Sequence, residues 1–342
     1  MQHCGRYIGR LVAAWPTLAL VLVACGGTVG SRADDDPAEE PGEGEESAGG
    51  GEGDGPSAGG AGGNPVTSLA CRRPQVGPSR WRRLTATQYQ ATVKDLLGVA
   101  FDTKTFLLDG KTGPFGTNAD NAAQPLEVKK YHDAAESIAG LARQNVRGFL
   151  DCDAKAAGDD VCAGRFVDTV AARAWRRPVT ADERKALLAV FAVGKEQSYE
   201  DGIRLMVEAV LQAPSFLYVV EVGEPSPQKD GSRRLTGYEI AARLSYLLWG
   251  TMPDAELVQA ARDARLATRD GVREAAKRLM ESERFLFAAQ SFHRQLVDAD
   301  VIARGGLVTK DAARYPQWND ALKAAMLREV DAYVAHGFSQ AD

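Results

Sequence analysis

RRLTATQYQATVKDLLG, residues 82 to 98, decides how the folded part of the chain is built. Thr85 stands where a helix N-cap belongs, and Gln88, three residues on, can return a hydrogen bond to it. Leu84 and Tyr89 flank the pair as a hydrophobic staple, and Gly98 sits where a C-terminal cap would close the helix. The device recurs in RRLTGYEI, with Thr236, Glu239, Leu235 and Ile240, and in RRPVTADE, with Thr180 and Glu183. Each of these helix starts begins with an arginine pair: Arg82 and Arg83, Arg176 and Arg177, Arg233 and Arg234. Beside helix N-termini these pairs are expected to pair with local carboxylates or to cover apolar surface with their stems, rather than to bind anions. Leu96-Leu97 and Leu247-Leu248 keep the same offset from their threonines, which fits either a duplicated helical unit or convergence on good capping.

Outward from these starts the pattern stays helical. Tyr131, Ala134, Ala135, Ile138, Leu141 and Ala142 share one face, as do Val272, Ala276, Leu279 and Met280, and again Leu322, Ala325, Met326, Val330 and Tyr333. Pro253-Asp254 and Thr268 open further helices, and Gly337 is expected to cap the last. Only FLYVVEV, residues 216 to 222, reads as extended, either as a short strand or as the end of a buried helix. The expected fold is all-α, with about eight to ten helices in two lobes. These are an N-terminal helical domain, 70–223, and a C-terminal helical domain, 232–342, meeting near Gly223 to Ser232.

The front of the chain is of another kind. Arg6 and Arg10 precede an apolar run from Leu11 to Ala24, which is interrupted by Pro16 and too short to span a bilayer, so residues 1–24 read as a secretory signal peptide. Leu22-Val23-Ala24-Cys25 resembles the lipobox of bacterial lipoproteins, which implies lipidation of Cys25 and a membrane anchor made of acyl chains. Gly26 is not the aspartate that retains such proteins in the inner membrane of enteric bacteria, so outer-membrane placement is expected. Residues 25–69 carry that cysteine and then almost nothing but Gly, Glu, Asp, Ser, Ala and Pro, a composition that cannot bury enough surface to offset ordering. They are expected to form a disordered tether with a reach of roughly 35 to 40 Å.

The tether accounts for the acidity of the chain. Residues 26–69 hold ten acids against Arg32, a net of −9, and the leader adds +2, so the overall −5 leaves residues 70–342 at +2. That near-neutral balance argues against nucleic acid as a partner, because such affinity rests on phosphate neutralisation.

Catalytic patterns are scarce. Cys152 and Cys162, nine residues apart in an exported chain, are expected to form a disulfide, leaving Cys71 free, paired between molecules, or displacing one of them. No C-x-x-C or C-x-x-C-H motif is present, so neither a zinc site nor a covalent haem is expected. His132 and Glu136 have the i, i+4 spacing of two ligands on one face, but two ligands close no site. His293 reads as a packing histidine and His336 as a complement to a helix C-terminus. G-x-S-x-G, phosphate-loop and H-E-x-x-H motifs are absent, and Ser215, Glu208 and Glu221 stand alone, so no catalytic residue, cofactor site or metal site is assigned. Trp249 reads as core, and Trp318, in YPQWND, is the best candidate for stacking on a glycan.

Four stretches taken together, residues 82–98, 162–183, 200–221 and 233–257, resemble the multi-domain proteins of planctomycetes and myxobacteria described as cytochrome-associated domains. The resemblance covers roughly residues 80 to 342. It implies an exported, largely helical protein, often found with c-type haem domains, and it supplies no catalytic residues. It also implies further C-terminal domains, so the chain is expected to be truncated relative to the family. The expected function is a lipid-anchored envelope module that binds or scaffolds, with an envelope redox protein or a glycan as partner. The alternative is an envelope enzyme acting on polysaccharide through an acid pair assembled across the fold.

Overall fold

The computed structural model describes residues 79, 81–103, 106, 108–119, 123–302 and 308–339, which all belong to one unit. The signal peptide, Cys25, the tether and Cys71 lie outside the described residues.

The capping sequences act as their chemistry demands. Helix α1, Ala86–Leu97, starts at Thr85, whose hydroxyl accepts from the Gln88 N–H while the Gln88 side chain accepts from the Thr85 N–H, both at 3.2 Å. It ends at Gly98, left-handed at φ 69°, the conformation that glycine adopts without steric cost. Thr180 and Thr236 form the same reciprocal box ahead of two later helices.

Ten helices of eight or more residues are found among the described residues. After α1 come α2 (Pro125–Ala142), α3 (Asp159–Phe166), α4 (Ala181–Lys195) and α5 (Tyr199–Gln212). Then follow α6 (Gly237–Leu248), α7 (Ala255–Arg262), α8 (Arg269–Met280), α9 (Glu283–Leu296) and α10 (Asp320–Ser339). The all-α expectation is met. Among the described residues the strands form two small antiparallel ribbons, β1 (Arg82–Arg83) with β4 (Tyr218–Val219), and β2 (Lys111–Thr112) with β3 (Phe115–Gly116), and Arg83 and Asn118 add an isolated bridge. Residues 216–222 satisfy both readings of FLYVVEV: a one-turn helix, Pro214–Leu217, runs directly into β4.

Two apolar clusters make the core. The larger joins α1 to α5, with Tyr89, Ile138, Phe166, Phe191, Met206 and Phe216 among its most buried members. The smaller gathers Ala241, Trp249, Leu257, Ala260, Ala261, Leu266 and Leu279. Helix α6 serves both, since Ala242 and Tyr246 enter the first cluster and Ala241 enters the second. The disulfide Cys152–Cys162 is formed, with Cα atoms 5.6 Å apart and both residues buried at the edge of the larger cluster.

The structure favours convergence on good capping over duplication, and it corrects the expected apolar faces at Leu141, Met280 and Tyr333, which are 45 %, 49 % and 81 % exposed. Helix α1 buries Tyr89, Thr92, Val93, Leu96 and Leu97, whereas α6 buries Ala241, Ala242, Ser245 and Tyr246, at different offsets from their capping threonines. The two helices present different faces, and Leu247, the counterpart of Leu96, is 71 % exposed, so they are not a duplicated packing unit. Gly337 caps nothing, because α10 continues through it to Ser339.

Behind α6 lies a buried polar junction. The Tyr246 hydroxyl shares a hydrogen bond of 2.9 Å with Thr92 of α1 and accepts another, at 3.2 Å, from Arg176. Arg176, only 6 % exposed and held at φ 57°, spends its other terminal nitrogen on the carbonyls of Ser215, Phe216 and Tyr218. Its charge is solvated by backbone dipoles and the Tyr246 ring, which stands in for the usual carboxylate partner.

Candidate binding cleft

Strand alternation sends neighbouring side chains to opposite faces. In β1 this separates the first arginine pair. Arg83 turns inward, 2 % exposed, and donates both terminal nitrogens at 2.7 Å to Glu127 in the first turn of α2, with Tyr131 beneath it. That bond holds the Glu127 carboxyl below its ordinary range. Arg82 turns outward and lines a cleft of about 2480 Å³.

The walls of the cleft come from distant parts of the chain. Arg82, Gln88 and the β2–β3 hairpin form one side, Val219 and Glu221 lie beside them, and Arg243, Tyr246, Phe287 and Phe292 form the other. The hairpin is fastened to α9 across the opening: Gly116 donates its N–H to Gln295 at 2.8 Å, and the Phe115 and Phe292 rings stack at 4.8 Å. Lys111 lies 4.0 Å from Asp298 at the same seam. Much of the lining is apolar and open to solvent, with Leu108 at 90 %, Leu247 at 71 % and Phe287 at 62 % exposure.

The carboxylates along the cleft are mostly engaged. Glu221 takes a two-point contact from Arg243, whose guanidinium is pushed upward by that bond. Asp109 accepts from the Ala86 N–H and from Asn118, and Asp230 accepts from Ser232. No cluster of three metal-ligating side chains occurs among the described residues.

Of the singled-out residues, Glu221 and Trp249 reach the cleft and the histidines and Trp318 lie elsewhere. His132 bonds Gln212 at 3.0 Å, and Glu136 is exposed on the helix surface. His293 bonds the Ala289 carbonyl and packs edge-on against Phe292 and Phe338. Trp318 is outside the cleft lining; its indole donates to the Val308 carbonyl at 3.3 Å, and Lys323 sits over its ring. Trp249 is core, as expected, with its edge at the cleft. Of the arginine pairs, Arg177 binds the nearby Glu183 carboxylate as expected, whereas Arg176 and Arg233 spend their donors on backbone carbonyls. The cleft itself was missed. Its only sequence signal was a pair of adjacent arginines, which a strand must split between inside and outside.

Fold and cleft together define an α-helical module whose concave surface is built from three separate segments of one chain. Three family models match the chain, and each matched stretch contributes to the lining, along with Ser79 and residues between 222 and 233 that no model covers. Residues 82–144 match PSD3, Protein of unknown function (DUF1587), residues 162–221 match PSD5, Protein of unknown function (DUF1595), and residues 235–342 match PSD4, Protein of unknown function (DUF1592). The chain is a multi-domain protein similar, segment by segment, to families whose function is not established. No curated protein and no solved structure matches it.

Proposed function

We propose that the chain is a binding module of the bacterial envelope, held at the outer membrane by a lipid on Cys25, with its cleft receiving a segment of a partner protein. One observation carries this reading: all three matched segments contribute walls to a single open cleft far larger than the roughly 300 to 1,000 Å³ of a small-molecule site. The resemblance to cytochrome-associated proteins makes an envelope redox protein the first partner to seek. No helix among the described residues is long and apolar enough to cross a membrane, and the proposed attachment rests on the likeness of Leu22-Val23-Ala24-Cys25 to a lipobox.

The test is affinity capture of the chain with Cys25 intact from detergent-solubilised native membranes, followed by partner identification and an absorption spectrum. A stoichiometric partner carrying a haem band is the expected result. Cys25→Ala should move the protein out of the membrane fraction. A colourless protein with no stoichiometric partner would remove the binding-module reading.

A further inference from the structure

Among the described residues, four cations line the cleft: Arg82, Lys111, Arg233 and Arg243. Three are engaged by the protein itself. Arg243 is bound to Glu221, Lys111 faces Asp298, and Arg233 holds the carbonyls of Glu224 and Pro225. Arg82 has no side-chain hydrogen bond or ion pair among the described residues, although it is partly buried beside Val219. The nearest carboxylate, Glu221, is already spent on Arg243. Burial therefore pushes the Arg82 guanidinium down from its ordinary value, with the charge of Glu221 only partly offsetting it.

A guanidinium presents five donors in a planar fork that matches a carboxylate in two-point contact. Leaving that fork empty while partly desolvated is costly, and a ligand oxyanion would recover the cost. The charges of Arg82, Arg243 and Glu221 sum to one positive charge, while the lining as a whole sets four cations against five carboxylates, so the attraction for an incoming carboxylate is local to these arginines.

We propose that Arg82 is the carboxylate subsite of the cleft, taking an Asp or Glu side chain of an extended partner peptide whose neighbouring apolar side chains lie along Val222, Leu247 and Phe287. The exposed aliphatic side chains favour a peptide over an acidic glycan. A glycan would call for several free aromatic faces; here Phe115 and Phe292 are stacked on each other, and the exposed Phe287 ring stands beside the aliphatic Leu108, Val222 and Leu247. The inference rests on the binding-module reading and names the chemistry of its partner.

The test uses the full chain in detergent and two labelled pentapeptides, Ala-Leu-Glu-Leu-Ala and Ala-Leu-Gln-Leu-Ala with blocked ends, followed by fluorescence anisotropy. The Glu peptide should bind about tenfold more tightly or better, the gain expected of hydrogen bonds to a charged group. Arg82→Gln should erase the difference, Arg82→Lys should keep part of it, and added salt should narrow it. Melting curves of both variants should stay close to that of the parent chain, since the Arg82 side chain makes no hydrogen bond or ion pair among the described residues and both replacements keep part of its stem. Equal binding of the two peptides, binding of neither at millimolar concentration, or a preference that survives Arg82→Gln would each overturn the subsite. Tighter, Arg82-dependent binding of oligogalacturonate would overturn the peptide assignment. If the peptides fail to discriminate while the membrane partner is still captured, the subsite falls and the module reading stands. If they discriminate and nothing is captured, the reverse holds.

Discussion

Asp95, in the last turn of α1, accepts a hydrogen bond at 2.9 Å from Arg284 in the first turn of α9, 189 residues further along the chain. The same carboxylate accepts from the Thr251 hydroxyl at 3.0 Å, and the Asp95 carbonyl accepts from Arg173. One residue thus ties the 82–144 segment to both later segments. Arg284 is half exposed, so its ion pair contributes little by itself, whereas the bond to Thr251, 3 % exposed, is shielded from water. Asp95→Ala should cost about 1 to 2 kcal/mol, mostly from that buried hydroxyl. In urea denaturation, a double-mutant cycle with Thr251→Val should recover more coupling than one with Arg284→Ala.

Tyr246→Phe removes the hydroxyl shared by Thr92 and Arg176 while keeping the ring. The loss should be about 1 to 3 kcal/mol, because the buried Arg176 Nη1 then lacks its acceptor, while Thr92 keeps its bond to the Gln88 carbonyl. Arg176→Met should cost more, since three carbonyls lose their donor together. Equal midpoints for Tyr246→Phe and the parent chain in denaturant would show that the junction contributes nothing.

Glu183 closes the capping box of α4 and also takes a two-point bond from Arg177. The Arg177 bond is the main cause that holds its carboxyl at about 2, against an ordinary 4.5. A carboxyl whose value is lower in the folded state stabilises fully above the unfolded value and loses that contribution as pH falls through the folded one. The melting difference between the parent chain and Glu183→Gln should therefore be constant above about pH 5 and shrink between pH 4.5 and 2. The pair is partly exposed, so the effect is screened and should fall further in salt.

Gly194 marks the closest approach of α4 and α5. A Cβ there would lie 2.6 Å from the Asp201 carbonyl oxygen and 2.7 Å from the Gly202 Cα, both backbone atoms that cannot swing aside. Gly194→Ala should destabilise by about 1 to 3 kcal/mol through overpacking, despite the better helix propensity of alanine. Gly140, on the surface of α2 with nothing near its missing Cβ, is the control. There the same substitution should be neutral or stabilising, by up to about 1 kcal/mol.

What could be read from the sequence was local chemistry. Thr85, Thr180 and Thr236 each meet their partner three residues away, so the capping boxes were legible, as was the short loop between Cys152 and Cys162. The periodicity of α2 correctly placed Tyr131, Ala134, Ala135 and Ile138 in the core. Leu247 misled because which face of an amphipathic helix is covered depends on its neighbours, and α6 meets two clusters at once. The cleft and the Tyr246 junction were illegible for a related reason. Their members stand tens to more than a hundred residues apart, and nothing in LSYLLW says that its tyrosine will meet Thr92.

The 154 residues between Thr92 and Tyr246 also set a clock. A ribosome adding about 5 to 20 residues per second needs roughly 8 to 30 s to cover that interval. Until it has done so, the first helix can be wound, capped and laid through Tyr89 against Phe101, Phe106 and Tyr131, but the Thr92 hydroxyl cannot meet Tyr246. The aromatic cluster around Tyr89 can therefore begin to form well before the Thr92–Tyr246 bond closes, and the joint from α1 to α6 is made after it.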